Sequence, residues 1–149
     1  MQSMFNPSDN KQLLDRFDKL APSTKPQWGK MNAAQMLAHA KTPLKVAFGE
    51  LELKRSLMGI LIGGIAKKQF TGGKPFSRNL PTDKHFVVSD ERNFEEERNA
   101  LVVLIRRFVQ AGPNGLTKKA HPFFGKMTPE EWDTLTWKHL DHHLQQFGA

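Results

Sequence analysis

The C-terminal stretch, residues 128–148, constrains the fold most, because both ends of a helix are written into it. Thr128 is a good N-cap, Pro129 suits the first helical position, and Glu131 completes a Thr-x-x-Glu capping box. The spacing predicts a helix running to Phe147, with Gly148 as its stop. Its apolar face carries Trp132, Leu135, Leu140 and Phe147 and must be covered by other elements.

The rest of the chain supplies more helices. Residues 7–20 place Leu13, Leu14, Phe17 and Leu20 at helical spacing before Ala21-Pro22-Ser23 ends the pattern. A second helix opens at Asn32, with Gln35 closing a capping box, and carries Ala33, Met36, Leu37, Ala40, Leu44 and Ala47. Pro43 is expected to kink it. A third apolar segment, residues 53–69, contains Gly59, Gly63 and Gly64, which lower helix propensity but permit close backbone approach. Residues 71–89 are rich in Gly, Pro, Asn and Asp and read as a crossover connection. A helix follows over residues 91–111, with Ser89 and Asp90 as candidate caps, and Gly112-Pro113 ends it. Period-two strand patterns are lacking, although His85-Phe86-Val87-Val88 could pair briefly at an edge. The expected fold class is all-α, a four-helix bundle with one long crossover connection, formed by residues 1–149 as a single domain. With 11 Phe and 3 Trp in 149 residues there is enough bulky apolar matter for a real core.

Composition then removes several kinds of chemistry. The chain has no cysteine, so disulfides, thiolate nucleophiles, iron–sulfur clusters and thiolate-bound zinc are excluded, and a metal site must come from His, Asp and Glu. The longest apolar run, residues 57–66, falls short of the roughly 20 residues a membrane span needs, so no membrane partner is expected. The opening MQSMFNPSDN lacks a secretory signal pattern, which makes a cytoplasmic location the expectation. The net charge of +7 raises the question of nucleic acid, yet basic residues never run longer than two and are interleaved with acidic ones. That pattern reads as a solvated basic surface. Neither Gly63-Gly64 nor Gly72-Gly73 has the spacing of a phosphate or dinucleotide loop, and no nucleophile-elbow motif occurs.

What remains is histidine. In WDTLTWKHLDHHLQQFG, His139 and His143 stand at i and i+4, which puts both imidazoles on one side of the helix, near the face to be buried. His142 points to a flank. His39 lies at the edge of the apolar arc of the second helix, near Met36 and Val46. Each histidine alone is more often a hydrogen-bonded core residue than a metal ligand. Three directed inward from two helices are costly to bury unless a ligand or hydrogen bonds satisfy their nitrogens. Three neutral imidazoles with one open position suit Zn²⁺, Ni²⁺, Fe²⁺ or a similar divalent ion. Glu97, on the apolar side of its helix, is a candidate fourth ligand or an acceptor orienting an imidazole, with a solvent-facing role as the alternative. His121, before Pro122, could line the mouth of the site or serve the turn. Asp141 is expected to be solvated; Trp28, Trp132 and Trp137 could line an aromatic pocket, but at least two of them are expected to pack the core.

These segments also carry a resemblance. WGKMNAAQMLAHA and HPFFGKMTPEEWDTLTWKHLDHHLQQFG together resemble the DinB/YfiT-like superfamily, and within it an uncharacterised bacterial branch of the domain of unknown function 1569 type. The resemblance spans most of the chain. It implies a DinB-like four-helix bundle, a homodimer, and a divalent metal held by His39, His139 and His143. Some members of that superfamily are thiol-dependent transferases or isomerases using low-molecular-weight thiols, and a divalent ion could lower the pKa of bound water or of an incoming thiol, so a metal-dependent hydrolase or thiol transferase acting on a small molecule is expected. Two other readings stand beside it. One is a non-catalytic binding module with structural histidines, and the other a DNA-associated stress protein.

Overall fold

The computed structural model describes residues 2–149, and among them every regular element is a helix. Five α-helices follow in order: α1 (Pro7–Phe17), α2 (Ala33–Ala47), α3 (Leu57–Phe70), α4 (Phe94–Ala111) and α5 (Pro129–Gln146). Short 3₁₀ turns occur at Lys84–Phe86 and Pro113–Gly115. The helix ends follow side-chain chemistry. Asn32 and Thr128 both form full capping boxes, with Gln35 and Glu131 returning the bond to the cap backbone. Asn6, Ser56 and Asn93 cap α1, α3 and α4.

Several expected boundaries move. α1 stops at Phe17, and Leu20 reaches the core from a turn in which its N–H bonds the Phe17 carbonyl at 3.1 Å. α4 starts at Phe94, not residue 91, because Asn93 accepts the Glu96 N–H while Asp90 is engaged with Arg92. The third helix begins only at Leu57, behind its cap Ser56. His85-Phe86-Val87-Val88 forms no strand: Asp83 accepts the His85 N–H and winds the segment into the 3₁₀ turn. α2 continues through Pro43, which has no N–H to offer the carbonyl of His39 four residues earlier.

α2 packs most extensively on α4, and also on α5, while α1 packs on α4 and α5. These four helices close on one hydrophobic cluster that includes Phe17, Met36, Leu44, Ile105, Phe108, Trp132 and Leu140, all essentially sealed from solvent. Asn10 stitches two layers, donating to the carbonyls of Met4 and Ile105 at 2.9 and 2.8 Å. Glu97, buried on α4, forms an ion pair with Lys41 of α2 and a longer one with Arg92 at 3.5 Å.

α3 is held differently. Its Gly59 and Gly63 lie against the backbone of the turn at Phe123, so close that a Cβ on either would stand 2.5 or 2.1 Å from the Phe123 carbonyl oxygen. The Ser56 N–H donates to the Pro122 carbonyl at 3.0 Å. Lys67 reaches the Lys126 carbonyl and Glu131, and Lys138 donates to the carbonyls of Phe70 and Gly72 at the C-terminal end of α3.

Candidate metal centre

The sequence brings three imidazoles together from two helices. His139 and His143 follow each other by one turn on α5, and His39 faces them from α2. The Nε2 atoms of His39 and His139 are 3.1 Å apart, and those of His143 and His139 are 3.2 Å apart. One ligand nitrogen from each residue fits within 4.8 Å of the other two. A tetrahedral ion bound at about 2.0–2.1 Å sets its ligand nitrogens roughly 3.3 Å apart, close to the two spacings to His139.

The outer nitrogens decide what the inner ones present. His39 Nδ1 lies 2.7 Å from the carbonyl oxygen of Phe86, in the 3₁₀ turn. A carbonyl only accepts, so Nδ1 carries the proton and Nε2 is a bare lone pair. His143 Nδ1 lies 2.8 Å from Gln146 Oε1, and the Gln146 amide is fixed in that sense because its Nε2 donates to the Trp28 carbonyl at 2.8 Å. His143 Nε2 is therefore bare as well. Gly29 makes room for this relay: its φ is +84°, and a Cβ there would stand 2.5 Å from Gln146 Nε2.

Between two lone pairs sits His139. A proton on its Nε2 can point fully at only one neighbour; a proton on its Nδ1 leaves three lone pairs facing one another, and Nδ1 is buried with no partner. Neither tautomer satisfies the cluster. Nor does an imidazolium, because burial pushes the pKa of His39 down, burial aided by the His39 charge takes His143 down to about 3, and burial together with both neighbours holds His139 well below the ordinary value. A divalent cation at the convergence satisfies all three nitrogens at once, so the residues present fit a metal ion. Two of the three imidazoles already have the kind of outer acceptor that would orient a metal-binding ring.

The other candidates are placed elsewhere. Glu97 is outside the histidine group and is committed to Lys41 and Arg92. His121 serves its turn: its Nδ1 accepts the N–H groups of Phe123 and Phe124 at 3.0 and 3.1 Å, and its ring packs on Phe124 and Trp132. Asp141 is not simply solvated but pairs with Arg16 at 2.7 Å. Of the three tryptophans, Trp132 and Trp137 are buried in the core cluster, which meets the expectation that at least two pack. His142 is half-buried at the flank, against Trp28, Phe76 and the ring of His143. His85 pairs with Asp83.

Sequence reasoning missed the outer partners. Gln146 had a usable signal, since it follows His143 by three residues on the same helix. The Phe86 carbonyl had none, because a backbone oxygen leaves no mark in composition.

The family described as protein of unknown function (DUF1569) matches residues 5–149. The chain belongs to this family. As a DUF1569 member it carries its second-helix histidine and its α5 pair inside the matched region. No curated protein and no solved structure matches the chain.

Proposed function

We propose that this DUF1569 protein is a divalent-metal-dependent enzyme acting on a small molecule, with a DinB-like four-helix bundle of α1, α2, α4 and α5 and with His39, His139 and His143 as the ligands. The observation that carries this reading is the tautomer argument: His39 and His143 are held as Nε2 acceptors by Phe86 and Gln146, with His139 wedged between them. Neutral core histidines with no further role would be arranged as donor to acceptor around the cluster. Here two rings are held as acceptors, and the one proton His139 Nε2 can carry serves only one of them.

His39, His139 and His143 are uncharged donors, so a zinc, nickel or iron(II) ion held by them would supply Lewis acidity, lowering the pKa of a water or thiol bound beside them. Hydrolysis and thiol transfer both follow from that chemistry. The chain contains no cysteine, so in the second case the thiol arrives as a small molecule. The residues' own contributions are orientation and exclusion of water: Phe86 and Gln146 fix the ring planes, and burial of His39 and His143 keeps competing protons off the nitrogens.

Metal content per chain, measured by inductively coupled plasma mass spectrometry on untagged protein, tests the proposal. The expected result is close to one ion per chain in the parent and loss of that ion, with helicity retained, in each of His39→Ala, His139→Ala and His143→Ala. A folded parent that stays metal-free when offered Zn²⁺, Ni²⁺ and Fe²⁺ would sink it.

A further inference from the structure

Helix α3 reverses the usual arrangement of an amphipathic helix. Its protein-facing side is glycine: Gly59 and Gly63 are buried against the Phe123 backbone. Its outward side is large and apolar, with Leu57, Leu61 and Ile65 exposed by 73, 69 and 77% and Met58, Ile60 and Ile62 exposed beside them. Six bulky apolar side chains on one continuous surface are not explained by packing within the chain. Among the described residues no helix is long and apolar enough to cross a membrane. A helix too short to span is still long enough to lie flat.

Charge says what it lies on. Residues 53–82 carry Lys54, Arg55, Lys67, Lys68, Lys74 and Arg78 and not one Asp or Glu, so this segment holds most of the net +7 of the chain. Lys54 and Arg55 precede α3, Lys67 and Lys68 lie in its last turn, and Lys54, Arg55 and Lys68 have no acidic partner among the described residues. An apolar face bracketed by cations matches an anionic lipid surface, where the side chains enter the acyl boundary and the cations meet phosphate.

We propose that α3 is a peripheral docking helix that seats this protein on an anionic phospholipid surface through the Leu57–Met58–Leu61–Ile65 face and its flanking cations. A second copy fits the face less well. Its own α3 would bring a second all-basic segment to the first, with no acid to pair it, and six apolar side chains fall well short of the roughly 20–30 residues a side of a standard interface. The sequence expectation of no membrane partner rested on the apolar run being too short to span, and the proposal departs from it, because a helix resting in the interface needs only one exposed face.

Vesicle flotation with the full chain tests the proposal, using vesicles of equal phosphatidylglycerol and phosphatidylcholine beside vesicles of phosphatidylcholine alone. The expected result is partition onto the anionic vesicles, weakening as salt rises. Leu61→Asp/Ile65→Asp alters only exposed side chains, so its helicity stays that of the parent while partition falls at least tenfold. Lys54→Gln/Lys68→Gln is expected to lower partition about tenfold as well. Folded protein that stays in the aqueous fraction overturns the proposal. So does binding that Leu61→Asp/Ile65→Asp leaves unchanged, which would be adsorption through overall charge. A non-binding protein that sediments as a dimer, and becomes monomeric in that variant, would assign the face to a second copy.

Discussion

Protonating His121 would set a new N–H against the two backbone N–H groups that its Nδ1 now accepts. Burial, the largest cause, and the Arg55 charge behind it lower its pKa from 6.5 to about 4, with Asp83 pulling the other way. Between those values the unfolded chain takes up a proton that the folded chain refuses. Stability from this residue is therefore complete above pH 6.5 and is lost as pH falls from 6.5 towards 4, by roughly 3 kcal/mol in all. His121→Asn keeps an oxygen able to accept both N–H groups but cannot titrate in this range. Chemical denaturation at pH 7 and pH 4.5 should show the variant less stable at pH 7, through lost packing on Trp132, with a shallower loss on acidification. An equally steep loss would mean that other histidines set the acid limit. The sequence left His121 between a site-mouth and a turn role because nothing in His121-Pro122 reveals that the next two amides point back at the ring. The three clustered histidines were easier, since helical spacing alone fixes the side of α5 on which His139 and His143 lie.

At the scale of elements, legibility followed the caps. α2 and α5 start where Asn32 and Thr128 say they should, because a capping box is a short-range device complete within four residues. α4 was misplaced at its start because Ser89, Asp90 and Asn93 all offer cap chemistry, and the choice depended on Arg92 and Gln35 engaging Asp90. The position of α3 was the least legible. Its glycines are visible, yet the surface they meet, the Phe123 backbone, lies sixty residues on. This makes a paired prediction. A methyl at Gly63 would stand 2.1 Å from the Phe123 carbonyl oxygen, so Gly63→Ala must shift α3 or the turn and should cost about 1–3 kcal/mol. At Gly64 nothing lies within 4 Å, and Gly64→Ala should be neutral or stabilise by up to about 1 kcal/mol through helix propensity. Thermal unfolding of the two variants reads the difference. If both behave alike, the glycine face is not where α3 docks.

Across the whole molecule, the histidine cluster joins segments that the chain keeps far apart. His39 belongs to α2 and His139 and His143 to α5; through their outer nitrogens they also hold Phe86 in the crossover and, by way of Gln146, the Trp28 carbonyl before α2. An ion drawing on the three Nε2 atoms would strengthen the outer hydrogen bonds of His39 and His143, so occupancy would tighten the crossover and the N-terminal loop as well as the helices. Binding to the folded chain alone raises stability by about 2.7 kcal/mol at a free metal concentration 100 times the Kd. Added Zn²⁺ should therefore raise the Tm of the parent and leave that of His139→Ala unchanged. Gln146→Ala separates the ligands from their support: it leaves all three imidazoles in place but frees the His143 ring and the Trp28 carbonyl. Metal affinity by titration calorimetry should fall about 10–100-fold, with one ion per chain still bound at saturation. Retention of parental affinity would show that packing alone holds His143 in register, and the relay through Gln146 would then belong to the fold of the loop and not to the metal centre.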